Sequence, residues 1–160
     1  MNNNNDSRLP RAIYPLLLLN FSKKGEIVGR TRFEKLVFVM QKRIIEQMRL
    51  SITLNSYQFR PFNFGPFDEN VLDDLESLKL VGMVENIGES DANETYKITD
   101  KGKDVVTKLI KNKQIPEIFI EEVRKLTKEY GEMTLDKLLR NIYNNYQEYT
   151  TNSVIRSRYL

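Results

Sequence analysis

The hydrophobic positions along this chain change period several times, and each change marks an element. From Ile13 to Leu19 nearly every residue is apolar, with Pro15 near the start. That predicts a buried helix running from Arg11 or Tyr14 to Phe21, because proline fits a helix only in its first turn. A polar stretch with two glycines, Ser22 to Gly29, reads as a turn. Phe33, Leu36, Val37, Met40, Ile44 and Met48 then recur at helical spacing. Thr31 and Glu34 stand in front of them at the separation of a capping box. Lys35, Lys42 and Arg43 fall away from the centre of that stripe.

Over Ser51 to Phe64 aromatic and polar residues come near alternation, and Pro61 interrupts them. This is the pattern of an extended edge segment or ordered loop, not of a central strand. Gly65-Pro66 turns the chain into a third helix over about Asp68 to Leu80. Phe64, Phe67, Val71, Leu75 and Leu78 are expected to be buried together there, with Leu72 beside them. Met83–Ile87 and Thr95–Thr99 predict two strands paired around a polar, turn-rich tip. A helix over Asp100 to Lys111 carries Val105, Val106, Leu109 and Ile110. Pro116 and Gly131 bracket another, with Ile118, Val123 and Leu126 facing inward. Thr134 caps a last helix, whose apolar residues are Leu135, Leu138, Leu139, Ile142, Tyr143 and Tyr146.

Three helices followed by a β-hairpin follow the winged helix-turn-helix plan. The expected fold class is α+β, mostly α: a winged helix-turn-helix with a two-stranded wing and extra C-terminal helices. Residues 1–9 read as a disordered N-terminal arm, 10–113 as the winged-helix core, 114–149 as a C-terminal helical extension. Residues 150–160 read as a flexible tail, offering Arg156, Arg158 and Tyr159 to a partner.

Composition narrows the chemistry. The 160 residues are 40% hydrophobic and 29% charged, ordinary for one soluble domain with a core. Cysteine and histidine are both absent, which removes disulfides, thiolate and imidazole metal sites, and the commonest general base. The lack of cysteine suits a cytoplasmic protein. The apolar run at 13–19 is far short of the roughly 20 residues of a membrane span, and Met1 to Asp6 lacks the order of a signal peptide. Asp73-Asp74 and Glu121-Glu122 are neighbours in sequence, so on a helix they diverge by about 100° and cannot converge on one substrate. Gly25 and Gly29 lack the pattern of a phosphate-binding loop. No enzyme, metal or cofactor is expected, and no membrane.

The charge is uneven. The third helix exposes Asp68, Glu69, Asp73, Asp74 and Glu76 against Lys79 alone. Asp68 and Glu69 suit the positive end of the helix dipole, but Asp73, Asp74 and Glu76 lie beyond it and would repel phosphates. With Phe62 and Phe64 of the preceding loop they are candidates for docking a protein. The aromatic residues Tyr57, Phe59, Phe62, Phe64 and Phe67 otherwise form a packed cluster that fixes the loop. Positive charge sits elsewhere: Arg30, Arg32, Lys35, Lys42 and Arg43 around the second helix, and Lys97, Lys101 and Lys103 after the wing. These are the candidates for DNA phosphates, Arg30 and Arg32 foremost because they flank a helix start.

Four stretches together resemble a known family. Phe62-Asn63-Phe64-Gly65-Pro66-Phe67, leading to Leu78-Lys79-Leu80-Val81-Gly82-Met83-Val84, is similar to the aromatic, Gly-Pro, aromatic signature of the Panacea antitoxin-type and YwgA-like domains. Arg32-Phe33-Glu34-Lys35-Leu36-Val37-Phe38 resembles their second helix, and Tyr96-Lys97-Ile98-Thr99-Asp100-Lys101-Gly102 their second wing strand. Leu138 to Tyr146 resembles their tail, with Gln147 where that tail has proline. The resemblance spans Thr31 to Ser153 and implies a winged-helix regulator, in some members an antitoxin. Two function classes follow: a non-enzymatic DNA-binding transcriptional regulator or antitoxin-like protein, and a protein-interaction adaptor docking through the acidic helix and aromatic loop. Double-stranded DNA, a protein such as a toxin, and a second copy of the chain are the partners left open.

Overall fold

The computed structural model describes residues 9–48, 56–88 and 94–159, an α+β chain that is mostly helical. Its elements are α1 (Ile13–Phe21), β1 (Glu26–Val28), α2 (Arg30–Met48), β2 (Arg60–Phe62), β3 (Gly65–Phe67) and α3 (Asn70–Leu80). They continue with β4 (Val84–Asn86), β5 (Thr95–Ile98), α4 (Asp100–Lys111), α5 (Glu117–Tyr130) and α6 (Leu135–Asn145). Most of the expected arm, the part of the extended segment from Ser51 to Asn55, and the tip between β4 and β5 at 89–93 lie outside the described residues.

α2 is the axis of the molecule, packed against α1, α3, α5, α6 and strands of both small sheets. Every residue from Phe33 to Gln41 is buried. The apolar stripe read from spacing is therefore only part of what this helix hides, since Phe38 and Val39 are as deep as Phe33 and Val37. α1 is hidden equally well, with Leu16 to Leu19 at most 2% exposed. The helices expected as an extension over 114–149 build the same core, through Phe119, Val123, Leu126, Leu138 and Ile142.

β4 and β5 pair antiparallel as expected, Val84 opposite Ile98 and Asn86 opposite Tyr96. The polar stretch before α2 is not only a turn, however. It contains β1, which pairs antiparallel with the other side of β5, Ile27 opposite Tyr96, and makes a three-stranded sheet in the order β1-β5-β4. β2 and β3 form a separate hairpin.

Local chemistry sets several boundaries. Thr99 Oγ1 accepts from Gly102 N at 3.2 Å and caps α4. A Cβ at position 102 would lie 2.4 Å from Met83 O, so the Thr-x-x-Gly pair both starts the helix and lets it touch the chain before β4. Thr134 caps α6 in the same way, accepting from Lys137 N. The Thr31–Glu34 box is not how α2 begins. The helix starts at Arg30, Gly29 O accepts from Phe33 N, and the Glu34 carboxylate is engaged elsewhere. On α5 the inner face is Phe119, Ile120, Val123 and Leu126, and Ile118 is 54% exposed.

Val71, Leu75 and Leu78 form the buried face of α3 as expected; Phe67 is half-buried and Phe64 is exposed. Leu75 is 1% exposed, so Leu75→Ala should cost about 2–5 kcal/mol by lost burial and the cavity left behind. Urea unfolding measures this, and a loss below about 1 kcal/mol would place Leu75 outside the core.

Candidate interaction surface

The sequence Arg60-Pro61-Phe62-Asn63-Phe64-Gly65-Pro66-Phe67 folds into the β2–β3 hairpin, with Pro61 opposite Pro66 and Phe62 opposite Gly65. Two prolines in one pair of strands leave few amides to bond across, so the hairpin must be held by something other than its own ladder. Gly65 sits at φ +94°, where a side chain is strained, and a Cβ there would come within 3.3 Å of the Tyr143 ring. Glycine is thus needed both for the turn and for the approach of α6.

What holds the hairpin is a set of buried polar groups on α2. Lys35 Nζ donates to Pro66 O at 2.7 Å, and Glu34 Oε1 accepts from Asp68 N at 3.0 Å. The Asp68 carboxylate accepts from Gln58 N at 2.7 Å and from Asn70 N at 2.9 Å. It therefore ties the two ends of the hairpin together while capping the start of α3, which begins at Asn70. About two turns further along α2, the Gln41 amide bonds both N and O of Tyr57 at 2.7 Å. Burial pushes the Glu34 carboxyl up to about 7 and, against the pull of Glu34, the Lys35 ammonium down to about 8.

The C-terminal segment holds the opposite side. Val154 N and Ser153 Oγ both donate to Asn63 O, at 2.9 and 3.1 Å, and the Ser153 and Tyr143 hydroxyls are hydrogen-bonded. Thr150 is fully buried, and Tyr159 packs on the Tyr143 ring and bonds Asp136 at 2.8 Å. The segment read as a flexible tail at 150–160 is accordingly part of the packed body through Tyr159; Arg156 and Arg158 alone of its three named residues face solvent.

This anchoring divides the aromatic residues. Tyr57 is buried, Phe59 meets Phe38 edge-on, and both serve the core as expected. Phe62 and Phe64 do not. They remain 42% and 49% exposed, Phe62 stacked on Phe67, with Val154 beside them at 69%. Two aromatic side chains are presented to solvent on a hairpin fixed from two directions, next to an exposed valine of the C-terminal segment.

The other candidates are dispersed. Asp73 and Glu76 face solvent on α3, Glu76 paired with Lys79 at 2.9 Å. Asp74 turns inward instead, accepting from Arg11 Nε at 2.9 Å and the Tyr57 hydroxyl at 2.7 Å. Among the phosphate candidates, Lys35 is buried and cannot reach a ligand on the surface. Arg30 binds Glu94 at 2.5 Å, and Glu94 in turn accepts from Tyr96 and Asn86, clasping the start of α2 to the sheet. Arg32 donates to Met133 O at 2.5 Å, and burial lowers its pKa. Arg43 pairs with Glu129 at 2.8 Å and lies over the Tyr130 ring; the Lys42 ammonium lies over Tyr149. Lys97 faces Glu26 at 3.7 Å, and exposed Lys101 reaches Val81 O at 2.6 Å. Lys103 is exposed on α4. These eight cations do not form one surface.

Glu34, Gln41, Asp68 and Glu94 were not singled out for the roles they hold here. For Glu34 and Gln41 the signal was the unbroken apolar run Leu36 to Met40 between them. Five such residues leave a helix no polar face, so the polar residues that flank the run are drawn inward with it. Asp68 and Glu94 lie outside α2 and carry no such local signal.

Among the described residues no helix is long and apolar enough to cross a membrane, and no cluster of three or more carboxylates is placed to hold a metal ion. Compared with protein-family models, curated proteins and solved structures, the chain matches none.

Proposed function

We propose that this chain is a non-enzymatic winged-helix adaptor of antitoxin-like type, which docks a protein partner through the β2–β3 hairpin. The observation that carries this reading is the exposure of Phe62 and Phe64, with Val154 of the C-terminal segment beside them, on a hairpin that Lys35, Asp68 and Ser153 hold in place. Exposed aromatic side chains on a rigid support are the usual anchors of protein interfaces, since little freedom is lost when they are covered. The likeness of the hairpin sequence to the Panacea antitoxin-type signature supports the same assignment.

A second reading, a DNA-binding regulator, has one observation in its favour: Lys101, Lys103, Lys108 and Lys111 are all exposed on α4. The candidates around α2 give it less support, because Arg30, Arg32, Lys35 and Arg43 are engaged within the molecule.

The experiment combines capture of a partner, identified by mass spectrometry and reconstituted from purified components, with duplex binding at low salt. The Phe62→Ser/Phe64→Ser variant is expected to fold as the wild type does and to bind the reconstituted partner at least about tenfold more weakly. Duplex binding should not depend on these residues. If the variant keeps its partner and Lys101→Ala/Lys103→Ala instead abolishes duplex binding, the DNA-binding reading takes its place.

A further inference from the structure

Between the end of α4 and the start of α5 lies a cavity of about 660 Å³. Its floor is apolar, made by Ile110, Ile115, Pro116 and Ile120. Its rim carries charges of both signs: Lys113 and Arg124 on one account, Glu117 and Glu121 on the other. Glu117, Glu121 and Arg124 recur along α5 at intervals of four and three, so they share one face of the helix. None of the four is in an ion pair among the described residues, although Arg124 lies over the Phe21 ring.

Lys113 is at an unusual place in the backbone. α4 ends with Lys113 N bonded to Ile110 O and Gln114 N bonded to Leu109 O, both at 3.0 Å, the double closure in which the left-handed residue is normally glycine. Here that residue is Lys113, at φ +53°. Stability is given up at this position, and what is gained is a cation on the cavity rim.

We propose that the α4–α5 cavity binds a short apolar peptide with free ends, its carboxylate at Lys113 and Arg124, its ammonium at Glu117 and Glu121, and its side chains on the isoleucine floor. The charge pattern favours this class over a simple anion or cation, either of which would meet two like charges on the rim. The volume agrees, since cavities of roughly 300–1,000 Å³ take ligands larger than a single amino acid. The site is separate from the hairpin, and its occupant is independent of the docking assignment.

The probes are the dipeptide Leu-Leu, its N-acetyl derivative without the ammonium, and its C-terminal amide without the carboxylate. Binding is followed by the methyl resonances of Ile110, Ile115 and Ile120. Leu-Leu is expected to shift all three saturably, and to bind about tenfold more tightly than either derivative. Lys113→Gly should melt above the wild type, because the backbone strain is gone, and yet bind Leu-Leu about tenfold more weakly while binding the amide unchanged. Glu117→Gln/Glu121→Gln should weaken Leu-Leu by a similar factor and leave the N-acetyl derivative unaffected. The opposite directions of stability and affinity in Lys113→Gly separate lost recognition from lost folding. Absent or unsaturable shifts, equal affinity for the three probes, or undiminished Leu-Leu binding by Lys113→Gly would each overturn the assignment.

Discussion

Lys35→Ala is expected to destabilise the protein by about 3–5 kcal/mol, more than most single substitutions. The side chain is 2% exposed, and its ammonium stands beside the buried Glu34 carboxyl as a counter-charge. Truncation leaves Pro66 O without its donor and Glu34 without its counter-charge. The companion double variant Lys35→Met/Glu34→Gln removes both charges, and the glutamine keeps an acceptor for Asp68 N. It should recover about 2 kcal/mol of that loss, because no charge is left buried and the unpaired Pro66 O is the remaining cost. Chemical unfolding of both variants provides the measurement; a loss below about 1 kcal/mol for Lys35→Ala would mean the pair is dispensable.

Glu34 also gives the stability curve a sign. Its carboxyl is raised from the ordinary 4.5 to about 7, so the folded chain holds a proton that the unfolded chain has released. The stabilisation this gives is complete below pH 4.5 and is lost as pH rises to about 7, an amount of about 3 kcal/mol. In Glu34→Gln that fall should disappear. Wild-type and variant curves that run parallel between pH 4.5 and 7 would show that Glu34 is not buried as described.

Phe38→Ala is expected to cost about 3–5 kcal/mol and to do so in a particular place. The ring is fully buried and meets three others edge-on, Phe59 before β2, Tyr146 at the end of α6 and Tyr149 beyond it, with centroids 4.9–5.1 Å apart. Removing it should speed amide exchange at Phe59 and Tyr149 more than at β5, because the hairpin and the C-terminal segment share this support. Uniform acceleration across the chain would instead mark Phe38 as a general core residue. Phe62→Ala, on the exposed side of the same hairpin, should change stability by no more than about 0.5 kcal/mol.

How far the sequence could be read depended on the range of the interactions involved. The span of α4 was legible because its apolar residues recur locally, whereas its cap was not: Thr99, read as the last residue of a strand, accepts from Gly102 N and starts the helix. The β4–β5 pairing was legible because alternation and a polar tip are both local. β1 was not, since three residues between glycines carry no period and the partner of Ile27 is Tyr96, far along the chain. Ile118 was misplaced on α5 because Ile118, Phe119 and Ile120 are adjacent and apolar, and only the tertiary contacts choose among them. The candidate site divided in the same way. Phe62 and Phe64 were identified as docking residues and are exposed. Lys35 was given to the surface because lysine usually belongs there, and only the crowding around α2 shows otherwise. Asp74 was placed with Asp73 and Glu76, although its neighbours Arg11 and Tyr57 come from segments that no local pattern connects to it.

The position of β5 between β1 and β4 has a consequence for how the chain is made. Arg30, which clasps this sheet to α2, and its partner Glu94 are separated by 64 residues. At a synthesis rate of about 5–20 residues per second, on the order of 3–13 s pass between them on the ribosome. During that interval α1 and α2 have left the ribosome with Ile27 uncovered and the Arg30 guanidinium without its carboxylate. The nascent chain must tolerate an open seam there, and the arrival of Thr95 to Ile98 closes β1 and β4 onto one strand in a single event.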